Sequence, residues 1–180
     1  MVYLTEDNIA EILKAIDNNE ILIWRELFLD LHPTDQVNLF EMLEADQRRI
    51  IYKNLSSEEF AEVFQGLEFK EQKEVLVELE HPYAVDMLNN MYSDDAADFL
   101  GEIDDLTAKK FLEHMDDEES QDVQELLEYP DETAGAIMTT EYVAVTANET
   151  VAEVLKKLRE EAPDAETIYY LYVVDNEEKL

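Results

Sequence analysis

Written in rows of twelve from Leu31, the chain lines up its apolar residues in columns. One column reads Leu31, Leu43, Leu55, Leu67, Leu79, Met91, Ile103, Met115 and Leu127. Four residues earlier a second reads Leu27, Leu39, Ile51, Val63, Val75, Met87, Phe99, Phe111 and Val123. The column after that, Phe28, Phe40, Tyr52, Phe64, Leu76, Leu88, Leu100 and Leu112, breaks only at Gln124. Within a row the apolar positions are i, i+1 and i+4, the spacing of one stripe on a helix. Each row therefore predicts a helix of roughly nine residues and a tight turn.

Start signals fall between the rows: Thr34 after Pro33, Ser56 with Glu59, Ser93 before Asp94, and Asp116 with Glu119. The Ser56 and Asp116 pairs read as capping boxes, in which side chains satisfy the free N–H groups of a helix start. Pro82 suits a first helical turn. Thr5 to Asn18, with Ile9, Ile12, Leu13 and Ile16 on one face, reads as a lead-in helix. Isolated helices shorter than ~12–15 residues are marginal in water. These must stack on one another, which predicts a mainly α, right- or left-turning superhelical solenoid of armadillo or HEAT-like character but shorter period.

The formal charge of −33, from 46 acidic and 13 basic residues, repels nucleic acid and anionic lipid, whose recognition rests on Lys and Arg clusters. Cations are the natural partners. Apolar residues make up 46% of the chain and recur at regular spacing, which argues against an acidic disordered chain. The absence of cysteine excludes disulfides, zinc thiolate sites and cysteine nucleophiles, and fits a reducing cytosolic setting. Met1 to Ala10 does not read as a signal peptide. The longest apolar runs, Ile21 to Trp24 and Tyr169 to Val174, fall far short of the ~20 residues that cross a bilayer.

The repeat stops at Tyr129-Pro130-Asp131-Glu132-Thr133-Ala134-Gly135, where Pro and Gly punctuate it. Tyr142 to Val145 is a short strand-like run and Asn148 a helix cap. Val151, Val154, Leu155 and Leu158 supply one helical stripe, Pro163 ends it, and Ile168 to Val174 is strongly β-prone. Strand, helix, strand implies a second, α/β unit, incomplete because two strands and one helix cannot cover both faces of a sheet. The expected boundaries are 1–129 for the helical repeat, 130–140 for a linker and 141–180 for the partial α/β unit.

Glu132-Thr133-Ala134-Gly135-Ala136-Ile137-Met138-Thr139-Thr140-Glu141-Tyr142-Val143 resembles the segment that joins the helical N domain of MgtE magnesium transporters to their paired cystathionine-β-synthase-type (CBS) modules. Val145 to Asp175 is similar to the first half of a CBS module. Met91-Tyr92-Ser93-Asp94-Asp95-Ala96-Ala97-Asp98-Phe99-Leu100 resembles the Asp-Asp-x-x-Asp helix start of the same N domain. The resemblance implies the cytoplasmic part of a homodimeric, channel-like Mg²⁺ transporter. Its N domain and CBS modules bind Mg²⁺ between them and favour a closed pore, with dimerisation through the CBS modules and a transmembrane domain elsewhere in the protein.

Asp94 and Asp98 are i and i+4, so they share one helix face with Cβ atoms ~5–6 Å apart. Asp95 points elsewhere and suits the helix start. Glu62 lies thirty-six residues before Asp98, three full repeats, and takes the same position in its own helix. Glu62, Asp94, Asp95 and Asp98 are the candidate metal ligands, and the resemblance also places N-domain ligands at such acidic positions. Ser93, Asp94 and Asp95 equally suit a plain helix N-terminus, worth ~0.3–1 kcal/mol each. Asp98 sits a turn further in, beyond most of that benefit. Oxygen-only ligands favour Mg²⁺ or Ca²⁺ over zinc or copper, and Mg²⁺ often takes only one or two carboxylates.

Asp116 to Glu119 reads as solvated surface, His32, His81 and His114 as loop or surface residues, and Trp24 as core or domain contact. No Ser/His/Asp spacing or phosphate loop is present, so an enzyme is not expected. Two rival readings are an acidic helical-repeat scaffold for a basic protein and a nucleotide-sensing CBS regulator. Titration with Mg²⁺ at constant ionic strength separates them: a sensor saturates, and a scaffold is only screened.

Overall fold

The computed structural model describes residues 3–130, 133–161, 170–175, 177 and 179–180. The helical half is built from α1 (Glu6–Asp17), α2 (Ile21–Leu29), α3 (Pro33–Glu41), α4 (Ala45–Asn54), α5 (Ser57–Phe64), α6 (Phe69–Glu78), α7 (His81–Leu88), α8 (Ser93–Glu102), α9 (Asp105–Leu112) and α10 (Asp117–Leu127). The twelve-residue rows are these helices. Eight of the nine residues in the column from Leu27 to Val123 are buried, and Leu27 packs against the core from its edge.

The helices are short because each ends where its stripe ends, and several beginnings are satisfied locally. Thr5 caps α1 in a capping box with Asn8. Ser56 and Glu59 form the predicted box at α5, with Ser56 N–H to Glu59 at 2.8 Å and Glu59 N–H to the Ser56 hydroxyl at 3.1 Å. At α10 the predicted box is absent: Asp116 makes no side-chain cap bond. Its own N–H donates to the Asn89 side chain at 3.1 Å, so the group that Glu119 would have satisfied is already taken. At α3 the cap is His32, whose Nδ1 accepts from the Thr34 N–H at 3.2 Å, two residues earlier than the Thr34 signal suggests. Asn19, at φ 58, turns the chain from α1 into α2 in the left-handed region that Asn tolerates.

Stacking skips a row. The sequence predicts burial between successive rows, but α3 packs on α5, α5 on α7, and α8 on α10, while α1 packs on α2 and reaches α4. The spatial unit is therefore two helices. Polar ties follow the same rule: Arg48 and Tyr52 of α4 both bond Glu78 at the end of α6. One tie reaches a row further: Arg25 of α2 holds Glu59 of α5 through both guanidinium nitrogens, at 2.7 and 3.0 Å. Trp24 is fully buried and meets Phe28 edge-on. Further along, Phe64 and Phe69 close on Phe99.

After α10 the described chain makes one 3-10 turn (Gly135–Ile137), then β1 (Ala144–Thr146), α11 (Val151–Glu161) and β2 (Tyr172–Val174). β1 and β2 pair in parallel, Val145 opposite Val173, with α11 between them in sequence as a crossover requires. Thr150 caps α11 through its bonds with Glu153. Pro163 and the start of the predicted second strand, Ile168 and Tyr169, lie outside the described residues.

Candidate functional site

α8 carries three of the four candidate ligands. It buries Ser93, Ala96, Ala97, Phe99 and Leu100 against its neighbours, which leaves Asp94 and Asp95 half-buried and Asp98 exposed on the remaining face. Asp94 and Asp98, with Glu102, line a hollow of about 180 Å³ that Gly101, Leu127, Tyr129 and Ala136 close. Asp95, Asp98 and Glu102 edge a second, larger hollow of about 530 Å³ with Gln65, Phe69 and Gln72. Asp98 and Glu102 thus stand on the ridge between the two. Glu62 is exposed on α5 and lines neither hollow.

The start of α8 is finished from a distance. Tyr92 occupies the N-cap and makes no side-chain cap bond. The missing acceptor is Glu141, forty-eight residues on: it takes hydrogen bonds from the Ser93 N–H at 2.9 Å and the Ser93 hydroxyl at 2.6 Å. Its other oxygen accepts from the Thr139 hydroxyl at 3.0 Å and the Thr140 hydroxyl at 3.1 Å. Burial pushes the Glu141 carboxyl up, but these donors outweigh it and hold the group below the usual carboxylate range. Asp122 on α10 moves the other way, raised by burial and by the like charges of Glu125 and Glu141.

Chemically this edge offers mainly carboxylate oxygens, with the Gln65 and Gln72 side chains across the larger hollow, and oxygen donors suit hard divalent cations. Among the described residues no three His, Asp or Glu side chains gather as a ready metal cage. The donors therefore fit a sparse site, one or two carboxylates with the ion's own waters, and do not fit a closed one. Asp116, Asp117 and Glu118 are exposed, as expected of solvated surface, whereas Glu119 is half-buried. His32, His81 and His114 are exposed too; His81 stacks on Phe111 and meets His114 edge-on.

Two residues of this region escaped the sequence. Glu102 is Asp98 plus four, and the same i, i+4 rule that paired Asp94 with Asp98 would have found it. Glu141 had no local signal, because the helix it caps is forty-eight residues away.

The sequence profile of the MgtE intracellular N domain matches residues 31–132, and that of the CBS domain matches residues 134–180. A magnesium transporter MgtE from Enterococcus faecalis is 47% identical over 177 residues, which is 97% of this chain and 39% of the relative. One from Thermus thermophilus is 56% identical over 59 residues, 33% of this chain and 13% of the relative. The chain thus spans well under half the length of these curated relatives. Among solved structures, the soluble part of a magnesium transporter superposes with a TM-score of 0.91 at 42% identity, over 96% of this chain and 68% of that one. The cytosolic domain of the Mg²⁺ channel MgtE in complex with ATP gives 0.80 at 34%, over 94% and 69%.

Proposed function

This chain belongs to the family of the MgtE intracellular N domain, and from that premise we propose that it is the cytosolic, Mg²⁺-sensing part of a magnesium transporter. It is read as a regulatory region and not an enzyme. Mg²⁺ held by Asp94 and Asp98, with Asp95 and Glu62 as further acidic contributors, would bring the solenoid against the CBS modules and favour a closed pore. The ion's contribution is to neutralise carboxylates that otherwise repel, by ~1 kcal/mol in water and ~3 at an effective dielectric of 20 for a pair ~5 Å apart. The protein's part is to hold those carboxylates on a packed helix whose first turn is fixed. Pairing through CBS modules into a homodimer, and attachment to a transmembrane domain at the inner face of the membrane, complete the reading.

One observation carries it. The hollow that Asp94 and Asp98 line is shared with Ala136 of the linker, so the acidic edge meets the boundary between the two units, where an ion changes their relation. An ion that binds only the assembled state stabilises that state and shifts the equilibrium by its differential affinity. Mg²⁺ is therefore expected to raise the melting temperature more than NaCl at matched ionic strength. Asp94→Asn with Asp98→Asn should abolish that difference. A NaCl curve that reproduces the whole Mg²⁺ shift removes specific sensing, and an unchanged response in the double variant removes these two residues from it.

A second reading, nucleotide binding, is favoured by the relative solved with ATP and by an open hollow beside the sheet lined by Met138, Tyr142, Tyr172 and Val174. Calorimetric titration with ATP tests it: saturable heat that Tyr172→Ala weakens supports a site there, and its absence rejects one.

A further inference from the structure

From Gly135 the linker runs back along α8. Gly135 sits so close to Tyr129 that an added Cβ would fall 2.2 Å from the ring, and Ala136 closes the same hollow as Gly101 near the C-terminal end of α8. Six residues later Glu141 is at Ser93, the first residue of that helix. Residues 135–141 therefore run antiparallel to α8, past the face that bears Asp94 and Asp98, and β1 begins three residues beyond.

Glu141 is the polar end of this strap. Ser93 is buried, and its N–H and hydroxyl both donate to one carboxylate oxygen, while Thr139 and Thr140 steady the other. Charge-assisted bonds of this kind are the strong ones, and a carboxylate at a helix N-terminus gains further from the aligned peptide dipoles. The surroundings pull against it: Asp122 from α10 puts a like charge beside Glu141, and Asp94 and Asp95 follow Ser93 directly. A strong contact set among like charges is one whose occupancy a modest change can shift.

We propose that Glu141 is a positioning residue that latches the second unit onto α8, so that the first turn of the acidic helix and the start of β1 are held or released together. Such a latch does not depend on which ion, if any, the acidic edge binds.

The chain has no cysteine, so Lys70→Cys on α6 and Ala152→Cys on α11, both exposed, provide two spin-label sites and no others. Pulsed electron-resonance distances would be measured on the full chain, in EDTA and in Mg²⁺. The parent is expected to show a narrow latched separation in both conditions, with a larger latched share in Mg²⁺. Glu141→Gln should lower the ratio of latched to released molecules about tenfold in either condition, as expected for lost charge-assisted hydrogen bonds. Ser93→Ala, which removes one donor and keeps the backbone, should lower it about threefold, and by less than that in the Gln background, where only a neutral acceptor remains. Far-ultraviolet circular dichroism checks that the helices remain; if the Gln variant unfolds, the Ser93→Ala comparison decides. The latch is overturned if the parent shows no narrow separation, if the variants superimpose on the parent in both conditions, or if the two substitutions add in full. Mg²⁺ that leaves the parent unchanged defeats the magnesium reading alone.

Discussion

From Ile12 and Ile16 in α1 to Val123 and Leu126 in α10, the stripes of the solenoid are buried, yet α11, whose Val151, Val154, Leu155 and Leu158 form just as regular a stripe, buries none of them fully. The two regions differ in what each stripe meets. Solenoid helices such as α3, α5, α7, α8 and α10 find a partner two rows away, so their apolar faces are covered. α11 is tied to β1 by the Lys157 ammonium, which donates to the Ala144 carbonyl at 2.7 Å; the sheet has two strands of three residues each, where Val145, with Val143 just ahead of β1, is buried. Periodicity thus states which face a helix will bury, and the number of partners decides how much that face contributes.

The sharpest way to break this contrast is a pair of truncations. Phe99 is buried between Phe64 and Phe69, and Phe99→Ala should cost ~3–5 kcal/mol in urea unfolding. Leu155→Ala, at 47% exposure, should stay within ~0.5 kcal/mol. Equal losses would mean that the two regions are packed alike.

At the junction, Gly135→Ala places a Cβ against the Tyr129 ring and should cost about 1–3 kcal/mol, as overpacking does. The penalty should shrink when Tyr129→Ala is present, because the two residues are in contact. Full additivity would show that the close approach has no energetic weight.

Caps sharpen the same comparison more gently. Ser56→Ala should cost ~1 kcal/mol of global stability, because α5 is packed into the solenoid on both sides. Thr150→Ala removes a similar cap from α11 but should appear only as faster amide exchange in that helix.

The smallest effect is acid sensitivity. The Arg48 guanidinium holds Glu78 below the usual carboxylate range against the pull of burial. A group depressed in the folded state contributes stability above its unfolded pKa, and loses it as pH falls through the folded one. The unfolding midpoint should therefore decline more steeply with acid below ~pH 4.3 in the parent than in Glu78→Gln. Identical slopes would leave that bridge without a share in stability, as exposed pairs often are.

Most of the solenoid was legible because its information is local: a stripe every twelve residues and side chains such as Ser56 and Glu59 that cap within one turn. The skip to alternate helices was not, since Leu39 or Val63 reads the same in a row that packs on its neighbour and in one that packs two rows away. The acidic edge was legible as far as a single helix could show it, in Asp94 and Asp98. Its partners from other segments, Ala136 in the hollow and Glu141 at the cap, depend on how the linker returns, which no spacing in the sequence records.

The distance along the chain between Ser93 and Glu141 also orders events on the ribosome. Helix pairs such as α3 with α5 can dock as they emerge, because their partners are close in sequence and cost little loop entropy. The first turn of α8 receives its Glu141 cap only after forty-eight more residues have been made. During synthesis the acidic helix therefore waits, stacked but unfinished at its start, until the linker and the threshold of the next unit have left the exit tunnel.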